Sequence, residues 1–224
     1  MSKLHTPFRY DYVGSFLRPE RLKKARADYE SGKINKAELT AVEDDCIREL
    51  VAKVKELGYH VITDGEFRRS TWHLDFMWGF NGVEHRKTVD GNTTFDAEAA
   101  MIDDTYMVGK ISVKDHPFVE HFKFVKALED ENTVAKQTIP APAQFIEQMI
   151  MPFALENTSK YYDSTHKLAE DIANGYKKVI ADLYDAGCRN LQLDDCSWGM
   201  LVDPRAEELF GTDKKGLKDI QELL

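Results

Sequence analysis

The stretch Asn190-Leu191-Gln192-Leu193-Asp194-Asp195 decides the fold class. It alternates like a short strand and ends on two adjacent carboxylates. It follows Gly187, which stops a helical pattern over residues 164–186 with Leu168, Ile172, Tyr176, Val179, Ile180 and Leu183 on one stripe. The same order of helix, glycine, strand and acid occurs earlier. Asn35, with Glu38 three residues on, caps a helix whose apolar positions are Leu39, Val42, Cys46, Ile47, Leu50, Val54 and Leu57. Gly58 stops it, and Tyr59 to Thr63 reads as a strand running into Asp64-Gly65-Glu66. Pro19 opens a still earlier helix that ends at Gly32, and Tyr10 to Gly14 and Thr133 to Thr138 read as two further short strands. Helices alternating with strands across long crossovers predict parallel strands covered by helices. That is an α/β fold, either a (β/α)8 barrel of the TIM type or an open doubly wound sheet.

A whole barrel needs eight strands in about 250 residues. Four strands by residue 194 therefore predict an incomplete (β/α)8 barrel, about the first four βα units, in one domain over residues 1–224. Asp213 to Leu224 reads as a helix without a stop signal, cut rather than finished. Residues 79–131 break the rhythm and read as an insertion. Val83 to Val89 and Thr105 to Val113 form a hairpin arm around Asp90-Gly91-Asn92, followed by a helix from Pro117 to Leu128.

The 224 residues are 42% hydrophobic and 31% charged, the composition of a globular chain with a core. A net charge of -9 excludes a polyanionic partner such as nucleic acid, which needs a basic footprint. No apolar run reaches the roughly 20 residues needed to cross a bilayer, and the first residues lack a signal-peptide core, so a cytoplasmic protein without membrane partners is expected. Cys46, Cys188 and Cys196 are too few and too scattered for a disulfide framework or a C-x-x-C knuckle, and Cys46 belongs to an apolar helical stripe. The histidines show no metal-ligand spacing on a helix or strand end, so no metal ligand is assigned.

In parallel α/β folds ligands bind beyond the carboxyl ends of the strands. Four such places carry polar residues. Gly14-Ser15 combines close backbone approach with a hydroxyl, or is an ordinary turn. At Asp64-Gly65-Glu66-Phe67-Arg68-Arg69 a carboxylate can grip an ammonium group and Arg68 or Arg69 can fork a ligand carboxylate; the alternative is an internal Glu–Arg ion pair. Lys136 and Gln137 either touch substrate or orient the strand ends. Asp194-Asp195 repel one another and call for a cation, an amine or hydrogen-bond donors, unless one acid caps the following helix. Trp72, Trp78 and Phe80 can stack on a flat ligand or pack under the hairpin arm.

Taken together, Val13-Gly14-Ser15-Phe16-Leu17-Arg18-Pro19, Thr63-Asp64-Gly65-Glu66-Phe67-Arg68-Arg69-Ser70, Trp72-His73-Leu74-Asp75-Phe76 and Leu191-Gln192-Leu193-Asp194-Asp195 resemble the cobalamin-independent methionine synthase family, in particular its short single-barrel members. The resemblance implies an S-methyltransferase of the 5-methyltetrahydropteroyltriglutamate–homocysteine type. A zinc ion would bind the thiol and a methyl-tetrahydrofolate would supply the methyl group. It implies that Gly14, Ser15, Glu66 and Asp194 bind the homocysteine-like substrate. Arg68, Arg69, Asp195 and Trp198 become candidate substrate or folate contacts, although Asp195 and Cys196 stand where the family has glutamate and proline. The family's zinc ligands follow the Asp194 motif and have no counterpart here, so the resemblance implies that this chain alone is inactive. Two other readings stay open: a transferase acting on another thiol of the coenzyme M kind, and a non-catalytic or split-barrel binding module. A homo-oligomer or a complementing C-terminal half is the expected macromolecular partner.

Overall fold

The computed structural model describes residues 4, 8, 10–86 and 104–224. In chain order the elements are α1 (Glu20–Glu30), α2 (Lys36–Glu56), β1 (Val61–Ile62), α3 (Leu74–Met77), β2 (Asn81–Arg86) and β3 (Asp104–Ser112). There follow α4 (Pro117–Lys126), β4 (Val134–Ala135), β5 (Gln137–Pro140), α5 (Pro142–Ile150), α6 (Pro152–Thr158) and α7 (Thr165–Asp185). The last are β6 (Leu191–Asp194), α8 (Ser197–Leu201), α9 (Ala206–Leu209) and α10 (Lys214–Leu223). The α/β class is as expected. β1 pairs with β4 in parallel, Val61 opposite Val134 and Ile62 opposite Ala135. β5 pairs with β6 through Gln137 N to Asn190 O at 3.0 Å and Ala141 N to Asp194 O at 2.7 Å; the residue numbers rise together on both sides, as in a parallel pair. All sheets are two-stranded, and no closed barrel is present among the described residues.

The chain divides into two compact units. The first comprises Met1–Trp72, Phe118–Thr138 and Leu183–Gln192; the second comprises His73–Pro117, Ile139–Asp182 and Leu193–Leu224.

In the first unit α2 begins at the expected capping box. Asn35 Oδ1 accepts from Glu38 N at 3.0 Å, and Glu38 Oε2 accepts from Asn35 N at 2.8 Å. Leu39, Cys46, Ile47, Val51 and Val54 form its buried face, each aliphatic side chain contributing about 1.5–3 kcal/mol by leaving water. Leu57 departs from the expected stripe: it caps the helix and is exposed, just before Gly58 at φ +82°. Pro19 is the N-cap of α1 and not its first helical residue, so the helix starts one residue later than expected, at Glu20.

The expected strand Tyr10 to Gly14 is not a strand. Its alternation is real, but side chains take the place of a ladder: Tyr10 Oη donates to Gly58 O at 3.2 Å, Tyr12 Oη donates to Val61 O at 2.9 Å, and Lys136 Nζ donates to Tyr12 O at 2.7 Å. The expected strand Thr133 to Thr138 is cut in two because it changes partner. Lys136 N donates to Ile62 O at 2.9 Å on the β1 side, whereas the next residue, Gln137, donates towards Asn190.

In the second unit β2 and β3 pair antiparallel, with Val83 opposite Met107 and Glu84 opposite Tyr106, and the register is irregular around Gly82, at φ +84°. The turn expected at Asp90-Gly91-Asn92 lies outside the described residues. The Trp78 ring stacks on His85 of β2 at 3.9 Å, and its Nε1 donates to Thr105 Oγ1 of β3 at 3.0 Å, so Trp78 packs under the hairpin. Phe76 and Phe80 pack against the buried His116, and Tyr176 packs on Phe76 and Phe145 on Phe80. α7 buries Leu168, Ile172, Tyr176 and Val179 but leaves Ile180 partly exposed, and Gly187 follows it at φ +93°.

Candidate functional site

In the first unit the chain leaves β1 through a turn with two successive left-handed residues. Thr63 Oγ1 accepts from Gly65 N at 3.0 Å and Asp64 Oδ1 accepts from Glu66 N at 2.8 Å. Gly65 sits at φ +62° and Glu66 at φ +59°. Among the described residues Glu66 is the one non-glycine residue with positive φ, a conformation that costs about 1–3 kcal/mol and persists where its surroundings impose it.

Those surroundings are largely arginine. Arg69 is buried; its Nη2 donates to Thr138 O at 2.7 Å and to Thr138 Oγ1 at 2.9 Å, and its Nη1 donates to Trp72 O at 3.2 Å. The same Nη1 lies 3.6 Å from Glu66 Oε1, and the guanidinium covers the Phe118 ring at 4.6 Å. Arg68 turns the other way, to Glu43 at 3.3 Å and to Asp44, above the Phe124 ring. Burial pushes the Glu43 carboxyl up from its ordinary value, while Lys36, Arg68 and Arg26 act against that shift. His121 faces the same region: burial lowers it to about 4, with Asp64 opposing and Arg68, Arg69 and Lys36 reinforcing the drop.

The Gly14-Ser15 turn adjoins Gly65. Phe16 N donates to Gly65 O at 3.2 Å, and Arg18 Nη2 donates to Glu66 O at 3.1 Å and Arg69 O at 2.9 Å. Gly14 has φ +80° with open space where a Cβ would stand, and Ser15 is exposed. Gly14, Ser15 and Glu66 are thus brought together at one strand end. Arg18 lies in the Val13–Pro19 motif, three residues past Ser15, a position that the sequence alone does not tie to Glu66.

In the second unit Asp194 ends β6, half-buried, and its carbonyl accepts from Ala141 N. Asp195 Oδ1 accepts from Ser197 N at 2.8 Å, so this acid tethers the first residue of α8, and Trp198 beyond it is half-exposed. Cys196 Sγ donates to Gln144 Oε1 of α5 at 2.8 Å, and burial raises the thiol above its usual range, with Glu147 and Asp195 adding to the rise. One turn along α5 lies Glu147, 3% exposed. Burial raises its carboxyl; the nearby Ser197 hydroxyl acts against the rise although no hydrogen bond of standard geometry joins the two, and Asp195 adds to it. Sequence reasoning missed Gln144 and Glu147. The signal for Glu147 was a lone acid in the apolar run Phe145, Ile146, Met149, Ile150.

Among the described residues no three His, Cys, Asp or Glu side chains are grouped to hold a metal ion, so the donor set described here does not fit the zinc ion that the family resemblance implies. Among the same residues no helix is long and apolar enough to cross a membrane.

Residues 9–207 match the family model described as the catalytic domain of cobalamin-independent synthase. The chain belongs to this family. An uncharacterized family relative from Bacillus subtilis strain 168, YxjH, is 38% identical over 208 residues, which is 91% of this chain and 52% of that protein. A methionine synthase from Sulfolobus acidocaldarius is 25% identical over 82% of this chain and 50% of its own length. A solved structure from Listeria monocytogenes, provisionally described as a vitamin-B12 independent methionine synthase, superimposes with a TM-score of 0.76 at 36% identity, over 99% of this chain and 61% of that one. The chain spans about half the length of the curated relatives it matches.

Proposed function

We propose that the chain supplies the substrate-gripping part of a methyltransferase acting on a homocysteine-like thiol amino acid, with a methyl-tetrahydrofolate as donor, on the first βα units of a (β/α)8 barrel. The observation that carries this reading is Glu66, a buried carboxylate held at positive φ at the end of β1 beside the Gly14-Ser15 turn. A carboxylate at a strand end is the group that a substrate ammonium selects, and an open glycine turn admits the amino-acid backbone. Family membership supports the same roles for Gly14, Ser15 and Glu66, and independently for Asp194 at the end of β6. For Asp195 and Trp198 the family resemblance suggests substrate or folate contacts.

The metal that the family implies would generate the thiolate. The donors described in this chain do not form its site, so a complementing segment of βα type is proposed to carry that half of the chemistry. What these residues themselves do is bind and orient.

One observation favours the amino-acid thiol over a sulfonate thiol of the coenzyme M kind. A sulfonate needs cationic partners, and the guanidiniums of Arg68 and Arg69 are committed to Glu43, Asp44, Glu66 and backbone carbonyls. Ligand-observed NMR with L-homocysteine, L-methionine and 2-mercaptoethanesulfonate tests the choice. Saturation transfer to the two amino acids, competed by each other and absent for the sulfonate, is expected; a response to the sulfonate alone would reverse it.

A further inference from the structure

We infer that Lys136 is a positioning residue for the proposed substrate turn: together with Thr138, two residues along the same run of chain, it sets the spacing between Gly14-Ser15 and Glu66. This rests on the functional reading given above, but its structural content stands apart from it. Lys136 is 3% exposed, and its ammonium group donates to Asp11 Oδ2 at 2.7 Å, to Tyr12 O at 2.7 Å and to Gln192 Oε1 at 2.9 Å. All three ammonium protons are therefore placed, and the charge is neutralised by the Asp11 carboxylate. The two N-terminal acceptors lie two and three residues before Gly14, in a segment without a strand ladder of its own. Thr138 presents its carbonyl and hydroxyl to Arg69, which holds Glu66 and the Trp72 carbonyl.

Residues i and i+2 of an extended chain point to the same face, a fixed distance of about 6–7 Å apart. One continuous run of backbone, hydrogen-bonded to Ile62 at Lys136 and to Asn190 at Gln137, thereby grips two loops that are far apart in sequence. Lys136 fixes the approach to Gly14-Ser15, and Thr138 fixes Arg69 and, through it, Glu66. A group that must meet both the amino and carboxyl ends of a small substrate depends on that spacing being held to within a fraction of an ångström. Lys136 itself is buried behind the turn and spent on protein acceptors, so its effect on a ligand is indirect.

Asp11→Ala tests this in the full 224-residue chain, because the Asp11 side chain is itself one-third exposed; cooperative unfolding of the variant is checked first, since the substitution leaves the buried Lys136 ammonium without its carboxylate. Hydrogen exchange read by mass spectrometry is expected to show amides in residues 10–17 exchanging about tenfold faster, with α2 unchanged. Lys136→Met is expected to go further, and Asp11→Glu to restore slow exchange. Titration with L-methionine is expected to show a Kd weakened about tenfold in Asp11→Ala. Unchanged exchange over 10–17 in Asp11→Ala would overturn the clamp whatever the ligand does. Faster exchange with unchanged methionine affinity would overturn its positioning role. If the parent chain binds no methionine, the functional reading fails, while the exchange data still decide whether the clamp exists.

Discussion

Arg69 Nη1 lies 3.6 Å from the carboxylate of Glu66, whose own backbone is held at φ +59°. The arginine also occupies the carbonyl and hydroxyl of Thr138, so a strained acidic turn and a neighbouring run of chain are tied through one buried guanidinium. Removing it as Arg69→Met takes an ion-pair partner from the buried Glu66 carboxylate and a donor from the Thr138 hydroxyl, while Thr138 O keeps Gln137 Nε2. The expected loss is about 3–5 kcal/mol in urea-induced unfolding, and Arg69→Lys, lacking the planar fork, should recover little of it.

Gly65→Ala attacks the same turn from the backbone side. Gly65 has φ +62°, and an added Cβ would collide with Leu50 Cδ2 of α2 and crowd the Phe67 ring. Backbone strain and overpacking together should cost about 2–4 kcal/mol by the same assay, whereas Gly14→Ala, with open space at its Cβ, should cost only the backbone part, about 1 kcal/mol.

The buried Glu147 makes stability depend on pH. Its folded-state carboxyl is raised by burial, with Asp195 adding and Ser197 opposing, so the folded chain holds this proton when the unfolded chain has released it. Its contribution is present below the ordinary carboxylate range and is lost as pH rises through the raised folded value. Glu147→Gln should therefore match the parent in denaturation at pH about 4 and exceed it at pH about 8. A constant difference at both pH values would contradict this.

His121 works in the opposite sense. Burial lowers it to about 4 in the folded chain, so between the ordinary histidine value and about 4 the unfolded chain takes up a proton that the folded chain refuses. Stability should fall on acidification across that window, and His121→Gln should fall less steeply when the two proteins are unfolded in parallel between pH 7 and pH 4.

Cys196 is exposed, yet its thiol is raised and donates to Gln144. Iodoacetamide should modify it several-fold more slowly than a free thiol at pH 8, with the rate still climbing at pH about 9.5, and Gln144→Ala should leave most of that slowness in place because burial is the leading cause.

Much of this was legible in the sequence for local reasons. The Asn35–Glu38 capping box, the Gly58 and Gly187 stops and the apolar stripes of α2 and α7 are written within a few residues of where they act, and the structure places them as read except at Leu57 and Ile180, which are exposed. The expected strand at Tyr10 to Gly14 is not formed because its alternating tyrosines make their bonds through their hydroxyl groups, Tyr10 to Gly58 after α2 and Tyr12 to Val61 of β1, a tertiary arrangement that mimics a period of two. The division between β4 and β5 was hidden because a change of strand partner leaves no local mark. At the candidate site the strand-end acids stood out by position. Lys136 stood out too, with orienting the strand ends as one of its two readings, but the roles of Arg18, Gln144 and Glu147 did not, since each acts on a partner at least 48 residues away or depends on burial.

Isothermal titration of L-homocysteine, under reducing conditions, into the parent chain and into Glu66→Ala bears most directly on the proposal that this strand end grips an amino-acid thiol. Saturable binding by the parent, weakened at least tenfold in Glu66→Ala while the variant still unfolds cooperatively, is the predicted result. No heat at millimolar ligand, or equal affinity in the two proteins, would contradict it.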